Sequence, residues 1–168
     1  MVKTLLKEVK EYKKDTILSP VYVSIEAILE VFIPFLMAIL VDNGIEKGDM
    51  KSIWFYGFLM LVAAFVSLWA GAKSGKHAAI ASSGFAKNLR KAEYRKIQEF
   101  SFSNVDAYST SGLITRMMTD VTNIQNAYQM MIRVCVRAPL MLIASLIMAF
   151  IINKEMALIF VAAVFVLG

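Results

Sequence analysis

The sequence predicts an all-α membrane protein, and three observations carry this prediction. Hydrophobic residues make up 58% of the 168 residues and the mean hydropathy is +0.62, whereas soluble domains are about 45–50% apolar. Most of these residues lie in long apolar runs. Between the runs, apolar residues recur at spacings of three and four, which is the period of a helix.

The N-terminal segment, about residues 4–13, is predicted to be a short amphipathic helix. Its apolar residues share one side and lysines surround them, as in helices that lie in the headgroup plane of a bilayer. A cleavable signal peptide is not expected, because no compact apolar core with a small-residue cleavage site precedes the first long apolar run.

Two apolar runs follow, and each is long enough to cross a bilayer. The first covers about residues 17–41 and contains Pro34 in its interior, where proline is expected to kink a helix or loosen its hydrogen bonds. Residues 42–52, with Asn43-Gly44 and Gly48, are predicted to form a turn. The second run covers about residues 53–72, and its helix is predicted to extend to residue 100.

A polar hairpin separates this helix from the next one. Residues 101–111 form its tip, and the returning helix is predicted over residues 112–152. A fourth apolar run begins at residues 156–168 but is shorter than the roughly 20 residues that cross a bilayer, so we expect this chain to be a piece of something larger. One face of the returning helix is predicted to carry Ile114, Met117, Val121, Ile124, Tyr128 and Met131.

The distribution of Lys and Arg predicts the orientation. Fifteen of these residues lie in the N-terminal segment and around the hairpin, against three in the two other loops. The positive-inside rule therefore predicts a cytoplasmic N-terminus and hairpin. The net charge of +5 flanks apolar spans, so a nucleic-acid partner is not expected. With Cys135 as the only cysteine, no metal cluster is suggested.

Several stretches resemble the membrane domain of ATP-binding cassette (ABC) exporters of the type I architecture. They are NLRKAEYRKIQEFSFSNVDAY around Arg90 and Arg95, then SGLITR from Ser111, DVTNI from Asp120, and PFLMAILVDNGI from Pro34. The resemblance covers essentially the whole chain and is closest to bacterial multidrug or lipid-type half-transporters.

This resemblance implies the N-terminal part of a six-helix transmembrane domain with an N-terminal elbow helix. It implies a first intracellular loop whose tip is a coupling helix lying across the nucleotide-binding domains. The loop motif would comprise Gly112, Leu113, Arg116 and Asp120. The coupling helix would comprise Ser103, Asn104, Val105, Asp106, Ala107, Tyr108 and Ser109.

The resemblance also implies ATP-driven export of amphipathic, drug-like or lipid substrates by alternating access in the inner or plasma membrane. ATP and Mg²⁺ would bind in a nucleotide-binding domain that these residues do not contain. Besides the lipid bilayer and the substrate, the partners would be the nucleotide-binding domains and a second half-transporter, identical or related.

Glu26 and Glu30 are the candidate substrate-cavity residues. They lie one turn apart near the middle of the first apolar run, where ionisable side chains are costly and face a cavity or a partner. One hypothesis is that they line the translocation cavity and favour cationic or amphipathic substrates. The alternative is that they pair with a basic residue on a neighbouring helix or stay protonated.

Two other functions remain open on the residues alone. A small stand-alone membrane protein would use the hairpin as a docking arm for a partner. A channel would conduct through a single cavity without ATP.

Overall fold

The computed structural model describes residues 7–99, 110–152, 154 and 157–158. Every regular element in that part of the chain is helical, which confirms the predicted all-α class. The helices are α1 (Lys13–Leu40), α2 (Met50–Gln98), the short α3 (Thr110–Thr115) and α4 (Val121–Ile152). Within the described part, three helical stretches are long and apolar enough to cross a membrane.

α2 is longer than any bilayer requires. Its 49 residues correspond to about 73 Å of helix, whereas the hydrocarbon core of a bilayer is about 30 Å thick. The helix contains the predicted second span and most of the predicted extension beyond it.

The chain divides into two compact units. Met1–Pro20 and Ser74–Val134 form the first, which we name the hairpin unit. Val21–Lys73 and Cys135–Gly168 form the second, which we name the span unit. α1, α2 and α4 each contribute part of their length to both units.

The hairpin unit has an apolar core between α2 and α4. Phe85 is only 2% exposed, and its ring lies 4.6 Å from that of Tyr128, centroid to centroid. Small residues of α2 let the neighbouring chain approach closely. The buried members of the core are Val9, Ala78, Ala81, Phe85, Ala86, Leu89, Val121, Tyr128 and Ile132.

Neutral hydrogen bonds connect the elements of the hairpin unit. The hydroxyls of Thr16 and Tyr128 lie 2.9 Å apart. Ser82 Oγ donates to Gln129 Oε1 at 3.2 Å. Ser74, fully buried, donates to the carbonyl of Ser19 at 3.1 Å. Since each of these bonds joins residues far apart in sequence, together they fix how the helices of this unit face one another.

The N-terminal segment differs from the predicted amphipathic helix. Lys7–Tyr12 forms a 3₁₀ segment that is interrupted at Lys10, whose φ is +40°. Two contacts explain the irregular path. Val9 is buried in the apolar core, and Asn88 Nδ2 donates to the Glu8 carbonyl at 2.9 Å, taking an acceptor that a regular helix would use internally.

In the span unit, the turn between α1 and α2 begins at a later residue than the sequence predicted. Asn43 and Gly44 belong to a π-helical segment, Val41–Ile45, that continues α1. Gly44 is needed for a close approach, because a Cβ there would lie 2.7 Å from Ile53 Cγ1. The chain reverses instead at Gly48, whose φ is +65°.

Proline does not interrupt the helices of the span unit. α1 continues through Pro34, where a kink or weakened hydrogen bonding was expected, and α4 contains Pro139 in its interior. Many large apolar side chains of this unit are exposed, among them Trp54, Phe58 and Leu68. Their exposure is the pattern of helices that meet lipid or further helices.

The apolar face of the returning helix also differs from its prediction at both ends. Val121 and Tyr128 are buried, but Ile114 and Met131 are exposed, and Ile132 is buried in place of Met131. A π-helical segment, Arg116–Asp120, separates α3 from α4. Because a π turn holds more residues than an α turn, it rotates Ile114 off the face that α4 buries.

Candidate functional site

The candidate site is a charged cluster of three side chains within the span unit. Glu26 and Glu30 lie one turn apart on α1, and Arg137 lies on α4. Arg137 Nη2 donates to both oxygens of Glu30 at 2.7 Å. Arg137 Nη1 donates to Glu26 Oε1 at 3.3 Å. One guanidinium therefore bridges both candidate carboxylates.

The two carboxylates are not equivalent. The side chain of Glu26 is 14% exposed, whereas those of Glu30 and Arg137 are 32% and 36% exposed. Glu26 Oε2 is buried and has no hydrogen-bond partner among the described residues. With two carboxylates and one guanidinium, the cluster has a formal charge of −1 when all three are ionised.

A glycine of α2 makes room for the cluster. A Cβ at Gly71 would lie 2.9 Å from Glu26 Oε1 and 3.0 Å from its Cδ. One helical turn from Glu26, the ring of Tyr22 meets that of Trp69 edge to face at 5.6 Å. Lys73 Nζ lies 5.7 Å from the centre of the Trp69 ring. Aromatic faces and a carboxylate thus occur on adjacent turns, which is the chemistry that binds organic cations.

The sequence located the carboxylates but not their partner. Arg137 was not predicted as that partner, although an arginine within a long apolar run is itself a signal for a charged partner. Of the two readings left open for Glu26 and Glu30, pairing with a basic residue on another helix is present in the structure.

The remaining predicted site residues are only partly described. Gly112 lies half-buried in α3, and Asp120 is exposed at the end of the π-helical segment. The side chains of Leu113 and Arg116 lie outside the described part of the chain. The whole predicted coupling helix, Ser103 to Ser109, also lies outside it. Among the residues that are described, none form a group of three or more metal-ligating side chains.

Asp120 has one electrostatic effect within the hairpin unit. Its carboxylate acts on Glu93, which lies on the part of α2 beyond the predicted second span. Burial raises the pKa of Glu93, and the nearby Asp120 carboxylate raises it further, while Arg90 opposes them.

The three long apolar helical stretches of the described residues are those of a multi-pass helical membrane domain. The family model of the ABC transporter transmembrane region matches residues 16–168. The chain therefore belongs to the ABC transporter transmembrane-region family, as its resemblance to ABC exporters indicated.

Curated bacterial relatives agree with this assignment. A Bacillus subtilis protein described as an uncharacterised ABC transporter ATP-binding protein, YfiB, is 35% identical over 131 residues, covering 78% of this chain and 23% of the relative. A Mycobacterium bovis protein of the same description is 28% identical over 166 residues, covering 94% of this chain and 27% of the relative. The chain thus spans about a quarter of the length of these relatives.

Proposed function

We propose that this chain is the N-terminal part of the transmembrane domain of an ATP-driven exporter. The complete protein moves amphipathic, drug-like or lipid substrates out of the cytoplasm by alternating access. The observation that carries the proposal is α2, because about 20 residues cross a bilayer and this helix has 49. The surplus length packs against α4 through the apolar core of the hairpin unit, as a force-transmitting arm requires.

The proposal assigns the hairpin to the cytoplasmic side of the inner or plasma membrane. Its tip, Ser103 to Ser109, is the coupling helix that contacts the nucleotide-binding domains, where ATP and Mg²⁺ bind. Gly112, Leu113, Arg116 and Asp120 begin the returning arm. A second half-transporter, identical or related, completes the pump. The excess of Lys and Arg around the hairpin supports this orientation.

Glu26 and Glu30 set a preference for cationic substrates in this proposal. Arg137 neutralises one carboxylate and leaves a formal charge of −1 on the cluster. An amphipathic cation can offset that charge, whereas an anion would be repelled by it. The role of Arg137 is to hold the two carboxylates in place.

The test is transport by the full-length protein in inside-out proteoliposomes. We expect ATP-dependent uptake of a cationic dye, and loss of at least half of it in Glu26→Gln and Glu30→Gln. Uptake of a neutral amphipathic dye should change little. Glu46→Gln, in the exposed turn, is the matched control. Unchanged cationic uptake in both variants would remove the substrate assignment.

Coupling is tested separately with Asp106→Lys in the predicted coupling helix. We expect ATP hydrolysis to persist while dye transport falls, because the hydrolysing domains remain intact and only their contact with the hairpin changes. Lys96→Gln, at an exposed position of the arm, is the control. Normal transport in Asp106→Lys would contradict the assignment of this segment.

A further inference from the structure

A basic pocket of about 500 Å³ lies within the hairpin unit, between the N-terminal segment and α2. Its volume falls in the range of about 300–1,000 Å³ that small-molecule sites occupy. It shares no residue with the Glu26, Glu30 and Arg137 cluster. The pocket is lined by Glu8, Lys10, Glu11, Lys87, Asn88, Lys91, Ala92 and Arg95.

Three cations of the pocket follow one face of α2. Lys87, Lys91 and Arg95 are spaced by four residues each, which stacks their side chains on successive turns. All three are exposed, and within the described residues none of them makes an ion pair. Like charges at this spacing repel one another, so an anion in the pocket would lower the repulsion that the Glu8 and Glu11 carboxylates of the lining leave in place.

The opposite wall of the pocket carries one ion pair and one side-chain contact to the backbone. Lys10 Nζ lies 2.7 Å from Glu8 Oε2, and Asn88 holds the backbone of Glu8. Lys10 adopts a φ of +40°, a region that costs a non-glycine residue free energy and that persists mainly at functional sites. With Lys10, Lys87, Lys91 and Arg95 against Glu8 and Glu11, the lining carries a net charge of +2.

We propose that this pocket binds a phosphate-bearing anion with at least two negative charges. Arg95 supplies the planar fork that binds phosphate oxygens in pairs, and Lys87 and Lys91 supply point charges along the same face. Such a ligand removes the repulsion along α2 and fastens the N-terminal segment to the arm. The shared chemistry is the phosphate group, carried either by a soluble solute or by a lipid headgroup.

Two arms of one experiment separate these sources. In the first, the full-length protein in phosphatidylcholine nanodiscs is titrated with inorganic diphosphate. In the second, no soluble anion is added and the nanodiscs contain equal amounts of phosphatidylcholine and phosphatidic acid. The readout is hydrogen–deuterium exchange of residues 7–12 and 87–95, which reports on this pocket and not on a nucleotide site elsewhere.

We expect slower hydrogen–deuterium exchange of both segments in one of the two experiments. That experiment identifies whether a soluble solute or a lipid headgroup carries the phosphate. Because it removes a charge-assisted hydrogen bond to the phosphate, Lys91→Gln should weaken binding about tenfold or more. Lys87→Gln/Lys91→Gln/Arg95→Gln should abolish the protection. Lys96→Gln, on the same helix but outside the pocket, should bind as the parent does.

The proposal is overturned if neither probe protects the two segments, or if the triple variant is protected as strongly as the parent. Exchange of the Phe85 region, measured in the same samples, verifies that the triple variant keeps its core.

Discussion

The hairpin unit and the span unit are stabilised in different ways. The hairpin unit buries a contiguous apolar core centred on Phe85 and Tyr128, and its helices are also joined by hydrogen bonds such as Ser82 to Gln129 and by the contact of His77 with Asp15 at 2.7 Å. The span unit leaves large apolar side chains such as Trp54 exposed. A long-range polar contact among its described residues is the ion cluster centred on Arg137.

In the topology that we propose, the hairpin unit lies largely in water and the span unit in lipid, and this difference in solvent accounts for the contrast. In water, the hydrophobic effect drives helices together, so an apolar core and a polar surface suffice. In lipid that force between helices is absent, and association depends on close packing and polar contacts. The two units of one chain thus illustrate both modes of helix association. Local hydrogen exchange can measure the stability of each unit separately.

The largest expected effect is that of Phe85→Ala. Removing this buried ring should destabilise the hairpin unit by about 3–5 kcal/mol, the usual cost of such a cavity. Hydrogen exchange in the full-length protein should accelerate across the core of the hairpin unit and stay unchanged in the span unit. Phe55→Ala, at a residue 63% exposed, is the control. Equal acceleration in both units would show that they are one cooperative structure.

The converse experiment is Arg137→Gln in the span unit. It leaves Glu26 and Glu30 without their counter-charge, at an expected cost of about 2 kcal/mol once the partial exposure of the cluster is allowed for. Exchange should accelerate around residues 22–31 and 135–141 while the hairpin unit keeps its protection. Glu26→Gln/Glu30→Gln/Arg137→Gln should recover most of the loss, since no unpaired charge remains. Failure to recover would assign the loss to packing.

Alanine substitutions at three glycines should change the stability by smaller amounts. A Cβ at Gly84 would overlap the ring of Tyr12 in the hairpin unit, so Gly84→Ala should cost about 1–3 kcal/mol. At Gly75, nothing lies within 4 Å of the added Cβ, so Gly75→Ala should stabilise the helix by about 0.5–1 kcal/mol.

In the span unit, Gly71→Ala should cost less than Gly84→Ala, because the Glu26 carboxylate that it meets ends a flexible side chain. Melting temperatures of the three alanine variants in detergent rank these costs. A Gly84→Ala protein as stable as Gly75→Ala would disprove the close contact with Tyr12.

A still smaller effect is expected from the titration of Glu93. Burial raises its pKa, so the ionised form is disfavoured in the folded state. This cost is fully present above the raised pKa and disappears as the pH falls to the ordinary range of glutamate. Glu93→Gln should therefore raise Tm near neutral pH by about 1 °C, after discounting for solvent screening, and the gain should vanish in acid. Glu11→Gln, at an exposed position, should not reproduce it.

Asp49, in the turn of the span unit, should change the stability with pH in the opposite direction. It accepts bonds from Ser52 Oγ at 2.7 Å and Lys51 N at 3.1 Å, and these bonds lower its pKa. The stabilisation is present above the ordinary aspartate range and is lost as the pH falls through the lowered value. Asp49→Ala should reduce the protection of the first turn of α2 at neutral pH, whereas Asp42→Ala should not.

The sequence predicted what depends on local pattern and failed where distant residues decide. Long apolar runs indicated the all-helical membrane class, and the position of Glu26 and Glu30 within such a run singled them out as candidate substrate-cavity residues, a role that stays a prediction. Periodicity carries no information about which helices meet, so the bridge from Arg137 was missed. The irregular path at Lys10 was missed for the same reason, because Val9 and Asn88 impose it through contacts with residues far away in sequence.

The π-helical segment Arg116–Asp120 has a consequence for changes in chain length. A π turn accommodates one residue more than an α turn, so a deletion there shortens the chain without unwinding it. Such a deletion would turn Ile114 by roughly 100° about the helix axis relative to Val121. The deletion would therefore turn a different face of α3 outward, while the core around Tyr128 stays unchanged.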